Sequence, residues 1–232
     1  MTETAMRYWK VLDENGCSAH GGDFQYDLPR WSATRGWIPG KWTPPITGLV
    51  PCHRGYHVCR DKDLLQWLGP RIYACEIRGE RIDHGDKIVA GQVRLTCPTP
   101  WDDTSARLFA VECASDVLSL YEAKYPNDPR VSDSLVTTFQ YALGDATDAE
   151  LAAARAAAWY AAWDAAWDAA WAAARAAAMD AAGAAAWYAA WDAAGAAARD
   201  AAWDAAWDAA WDAQTRRLLW WLGVDDVEVS HG

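Results

Sequence analysis

An α+β fold is what this sequence predicts, and three observations carry the prediction. Composition changes near residue 100: the first hundred residues hold most of the Pro and Gly, four of the five His and five of the six Cys. From residue 104 the apolar residues turn to helical spacing. A tetrad repeat, A-A-W-D, then occupies the chain from Arg155 to Trp211, with nine Trp, three Arg, two Gly and Met179 at its fifteen fourth-residue positions. The expected organisation is a small mixed α+β domain over residues 1–103, an all-α Ala/Trp-rich domain over 104–222, and a short acidic tail over 223–232.

The elements follow in order. "RYWKVLD" (7–13) has strand composition, and "NGCSAHGGD" after it is a turn-rich loop. "WIPGKWTPP" (37–45) is too interrupted by Pro and Gly for regular structure. "GYHVC" (55–59) reads as a short strand. "DKDLLQWLG" (61–69), with an Asp start and a Gly end, reads as a short helix. "RIYACEI" (71–77) alternates so as to give one apolar face, and "DKIVAGQVRLTC" (86–97) supplies one or two further strands. Leu108, Val111, Leu118 and Tyr121 mark a helix over 104–125. A second starts near Pro129 and ends at Gly144. Thr147 with Glu150 forms a capping box that opens the Ala-rich run. Basic residues in "RRLLWWLG" and Gly223 close the last helix.

Alanine makes the tetrads helical. A period of four on a helix of 3.6 residues per turn drifts by about 40° per repeat. Four successive Trp therefore make a core-facing stripe, but fifteen tetrads would wind right round one rod. The helix is expected to break near Gly183 and Gly195, since glycine costs about 1 kcal/mol inside a helix. Trp163, Trp167, Trp203 and Trp207 are expected to be buried. Asp200, Asp204, Asp208 and Asp212 form a slanted like-charge band. It is either a solvated face or a docking surface for a basic partner. The identical segments 156–166 and 184–194 point to duplication within the array.

The net charge of −11 disfavours nucleic acid as a partner and favours a protein with a basic surface. No stretch is apolar enough to span a membrane, and the start lacks a secretory leader, so a cytoplasmic location is expected, the host cytoplasm if a phage encodes the chain. The six Cys then read as reduced thiols. The tightest cluster of chemically capable residues is "CHRGYHVC", with Cys52, His53, His57 and Cys59, and with Cys17 and His20 upstream. Its spacing matches no standard zinc pattern, so Cys52, His57 and Cys59 are weak metal candidates only, and no cofactor is expected. No nucleotide-binding loop or nucleophile-elbow motif is present.

Residues 107–158, with "RLFAVECA", "YPNDPR", "ALGDAT" and the Ala-rich tail, resemble the helical immunity-protein family of bacterial polymorphic toxin systems, a likeness covering roughly 104–222. The stretch "YWKVLDENGCSAHGG" through "GKWTPP", "LVPCHRGYHVCR" and "RIYACEIRGERI" resembles a domain of unknown function found in actinobacteria and their phages. Neither brings a catalytic residue. The layout "GYHVCRDKDLLQWLG…RIYACEIRGERIDHGDK" is similar to rifamycin ADP-ribosyltransferases. That likeness implies an NAD-binding fold with a pocket between "RYWKVLD" and "GYHVCR", near Tyr8, Tyr56, His57 and Glu76. Those enzymes carry a His on the first strand, where this chain offers Tyr8, Trp9 and Lys10.

These readings favour a non-catalytic binding protein, of the immunity or phage counter-defence type. It would mask a macromolecule or sequester a small nucleotide-like ligand. The alternatives are a nucleotide-handling enzyme on the N-terminal domain and a structural phage protein that self-assembles through its Trp-rich helices, as a homo-oligomer.

Overall fold

The computed structural model describes residues 6–161 and 208–224. Over these the protein is α+β, a curled antiparallel sheet accompanied by helices. Of the described residues, those within 1–106 and 212–232 form one compact unit, and those within 107–211 form a second.

The first unit is built on four strands: β1 (Tyr8–Leu12), β4 (Tyr56–Val58), β5 (Arg71–Asp83) and β6 (Ile88–Pro98), in the order β1-β5-β6-β4. All neighbouring pairs are antiparallel. The sheet curls until its two edges meet. Trp9 and Cys59 exchange both backbone hydrogen bonds, at 2.8 and 2.9 Å, so the edge strands satisfy each other there. Leu12, Tyr26, Tyr56, Val58, Cys75, Ile88, Ala90, Val93 and Leu95 fill the interior. At Gly55, φ is +129° and a Cβ would come within 2.5 Å of the Val89 side chain, so only glycine lets β4 enter against β6.

Three expectations are refined here. β5 runs to Asp83, beyond "RIYACEI", and a register shift between Ala74 and Cys75 breaks its alternation. Ile72 and Cys75, three residues apart, are therefore both buried. "WIPGKWTPP" is not wholly irregular, because Trp37 and Ile38 belong to β3 (Gly36–Ile38), paired with β2 (Arg30–Ser32). The short helix at Asp61–Trp67 is a 3₁₀ helix. Tightly wound turns suit so short a connector.

A helix over residues 208–221 (α4) contributes to this unit, with Thr215, Leu218, Leu219 and Leu222 buried. Gly223, at φ +74°, ends it as expected. Its N–H donates to Trp220 O and that of Val224 to Leu219 O, the pattern of a left-handed helix cap. Residues 212–222, assigned from sequence to the helical domain, thus fall with the sheet.

The second unit takes up α1 (Asp103–Lys124) from Arg107 onward and α2 (Arg130–Leu143), joined by a turn pinned at Asp128, which accepts hydrogen bonds from Arg130 and from the Tyr121 hydroxyl. Gly144 caps α2 at φ +85°. The described start of the Ala-rich helix, residues 148–161 (α3), opens on the expected capping box. Thr147 N–H donates to Glu150 Oε2 at 2.8 Å, and Glu150 N–H to Thr147 Oγ1 at 3.3 Å. Trp159, the first tetrad Trp, is 69% exposed. The Trp at 163, 167, 203 and 207 and the breaks at Gly183 and Gly195 lie outside the described residues, so an all-α repeat domain is an expectation only. No helix among the described residues is long and apolar enough to cross a membrane.

Candidate functional site

A cleft of about 430 Å³ opens in the first unit. It lies between the β1 segment and residues 52–59. Its floor is buried: Lys10 and Val11 of β1, with Val58 and Cys59. Its mouth is exposed and formed by His20, Gly21, Gly22, Cys52 and His53. Half-buried Trp67 and Lys87 make one wall. Gly21 and Gly22 hold φ of +102° and +92° with no atom near their absent Cβ positions, so this lip stays open. A second lobe of about 480 Å³ shares Lys10, Ser18, the glycines, His53 and His57, and adds Asp23, Phe24, Tyr26, Arg54 and Tyr56.

The electrostatics of the first lobe oppose those of the whole chain. Two Lys and three His line it, and no Asp or Glu does so among the described residues. Asp86 pairs with the Lys87 ammonium at 3.6 Å. Lys87 also sits 4.3 Å over the Trp67 ring, held by the aromatic face. His20 stands edge-on to the same ring and donates from Nε2 to the Trp67 carbonyl at 2.8 Å.

His57 accepts at Nε2 from the Cys52 N–H, 3.0 Å away, which places its hydrogen on Nδ1. Burial, and then the Lys10 and Lys87 charges, hold its pKa below the ordinary imidazole value. Cys52 is the sole non-glycine residue at positive φ among those described, at +65°, in the turn over the mouth. A residue held in that region costs of order 1 kcal/mol, and its bond to His57 is what the strain secures.

Lys10 is the unusual member. It is 3% exposed. Its Nζ donates to Ser18 Oγ and to the His57 carbonyl, both at 3.0 Å, and lies 5.0 Å from the Tyr26 ring. Desolvation lowers its pKa to about 8, against a weaker upward pull from the Cys75 and Cys59 sulfurs.

Of the residues the sequence singled out, Tyr56, His57, Cys52, Cys59, His53 and His20 come to the cleft. Tyr56 is buried with its hydroxyl on the Pro44 carbonyl. Tyr8 and Glu76 do not line it. Tyr8 packs against the sheet's core, and Glu76 pairs with Arg94 at 2.7 Å on the exposed side of β5. As metal ligands, Cys52, His57 and Cys59 do not converge: no three His, Cys, Asp or Glu among the described residues could hold an ion. Burial pushes the Cys59 thiol up to about 12, so it stays protonated, and a protonated thiol is a poor ligand. Asp208 and Asp212 are exposed, whereas Asp200 and Asp204 lie outside the described residues.

Sequence reasoning missed Lys10, Ser18 and Lys87. A signal existed for Lys10. In "YWKVL" both alternating sets, Tyr8/Leu12 and Trp9/Val11, are apolar, which leaves a central lysine no solvent face.

Comparison with protein-family models, with curated proteins and with solved structures returns no match for this chain.

Proposed function

We propose that this chain is a non-catalytic binding protein, of the immunity or phage counter-defence type, which sequesters a small phosphate-bearing, nucleotide-like ligand in the N-terminal cleft. One observation carries the reading: a chain of net charge −11 lines this cleft with Lys10, Lys87 and three His and no carboxylate in its first lobe. Cations converging in a concave, partly apolar site favour an anion, and a low-dielectric wall strengthens their pull. Trp67 offers an aromatic surface beside them.

The test is thermal unfolding and calorimetry at low salt with AMP, adenosine and inorganic phosphate. AMP should raise the melting temperature, by about 2.7 kcal/mol of added stability at a hundredfold excess over Kd. Adenosine should not, and Lys87→Glu should abolish the effect. Absence of any response to the anions would overturn the proposal. The position of the cleft favours one second reading, an NAD-using transferase. Incubation with NAD separates the two: release of nicotinamide would replace binding with catalysis. Glu76, turned to Arg94, offers that reaction no carboxylate in the cleft.

A further inference from the structure

Capture of an anion does not by itself require a lysine as deep as Lys10. Lysine is almost never fully buried unless paired. Here Nζ donates to a hydroxyl and a carbonyl and faces an aromatic ring, with no carboxylate among these partners. It stands on the inner face of β1 between Tyr8 and Leu12, both packed into the core, yet it lines both lobes of the cleft. Such surroundings disfavour the ammonium and favour the free amine, with a pKa of about 8. A free amine at the floor of an open cleft is a nucleophile toward carbonyl carbon.

We propose that Lys10 captures the carbonyl group of a small anionic aldehyde or ketone as a reversible imine. The proposal rests on the anion-binding reading above, with Lys87 and His20 receiving the ligand's anionic group nearer the mouth. The neutral Nζ adds to the carbonyl carbon and a C–N bond forms. The carbonyl π pair moves to oxygen, which takes up the proton that nitrogen releases. Ser18 Oγ, hydrogen-bonded to Nζ, is placed to relay that proton. The carbinolamine then loses water: the C–O bond breaks, the nitrogen pair closes the C=N bond, and the remaining N–H proton passes to the departing hydroxyl. One water leaves, and no oxidant or reductant is consumed.

Three probes test this on the full chain: pyridoxal 5′-phosphate, pyridoxal without the phosphate, and pyridoxine 5′-phosphate without the aldehyde. Each is added at pH 7, followed by borohydride and peptide mapping by mass spectrometry. Pyridoxal 5′-phosphate should label Lys10 at least ~10-fold faster than exposed Lys41, Lys62 and Lys124. Pyridoxine 5′-phosphate should slow that labelling by competition, and pyridoxal should label more slowly. Glyoxylate with cyanoborohydride repeats the experiment with a smaller aldehyde. Lys10→Arg should lose the label. Label on the exposed lysines with none on Lys10 from either aldehyde overturns the proposal. If pyridoxine 5′-phosphate still raises the melting temperature in that case, the cleft reading stands alone. If it does not, both fall. Equal labelling of Lys10 by pyridoxal and its phosphate overturns the anionic part of the proposal.

Discussion

The curled sheet and the start of the Ala/Trp helix use large apolar residues in opposite ways. In the sheet, Leu12, Val89, Val93 and Leu95 are wholly buried. In α3, Trp159 and Tyr160 are 69% and 65% exposed, and the buried side chains are the smaller Leu151 and Ala161. Both faces of these strands are covered: Trp9 and Val11 alternate with Leu12, and Val89 with Ile88 and Ala90, and all six are buried. A four-residue period on a 3.6-residue helix meets no single face for long. Helix α4 bears this out within one element. Its last tetrad residue is Trp211, after which the repeat gives way to "QTRRLLWWLG", and Leu218, Leu219 and Leu222 are buried. Burial here follows aperiodic sequence rather than hydrophobic content.

That contrast can be broken by mutation. Leu95→Ala in the sheet and Leu218→Ala in α4 should each cost about 2–5 kcal/mol, read from urea unfolding. If Leu218→Ala is silent, α4 does not belong to the stability of the sheet and the contrast is one of strand against helix after all.

Lys10 is the sheet's exception, and Lys10→Met should stabilise by up to about 3 kcal/mol at pH 7, the cost of holding its pKa from 10.5 down to about 8. The lost bonds to Ser18 and the His57 carbonyl will subtract from that. In the folded state Lys10 releases its proton earlier than in the unfolded chain. Unfolded protein therefore binds more protons above pH 8, and stability rises with pH from there. The groups facing Lys10 limit the window. The thiols of Cys59 and Cys75 and the phenol of Tyr26 are all raised by burial, so they oppose the rise above pH 9. His57, lowered, acts only below its ordinary 6.5. Unfolding midpoints should thus climb between pH 8 and 9 in the natural protein and stay level in Lys10→Met. A flat profile in both would show that Lys10 is not desolvated.

Smaller effects sharpen the helical side. Thr147→Ala removes the capping box and should cost about 1 kcal/mol, seen as lost helicity and a lower unfolding midpoint. Trp159→Ala should change stability by less than about 0.5 kcal/mol, as exposed positions do. A loss of several kcal/mol there would mean that Trp159 is covered in solution, by another copy of the chain or by a partner.

Much of the local structure was legible. The β1, β4 and β6 segments, the helix stop at Gly144, the box at Thr147 and Glu150, and the Gly223 cap all rest on chemistry between close neighbours. The candidate site was legible in part, because "CHRGYHVC" gathers Cys52, His53, His57 and Cys59 on one short stretch. Tyr8 and Glu76 were chosen by analogy, and the sheet turns them elsewhere. The register shift after Ala74 was invisible because nothing in "RIYACEI" interrupts its alternation.

By itself the sequence determined that the β1, β4 and β6 segments are strands and where several helices start and stop, since propensity, capping and turn chemistry act within a few residues. Only the tertiary structure decided that the sheet curls until Trp9 meets Cys59, that α4 returns to the sheet's unit, and that Lys10, His20, His57 and Lys87 face one cleft. Those outcomes depend on contacts between residues tens of positions apart, which are set by strand register and packing and leave no periodic trace in the chain.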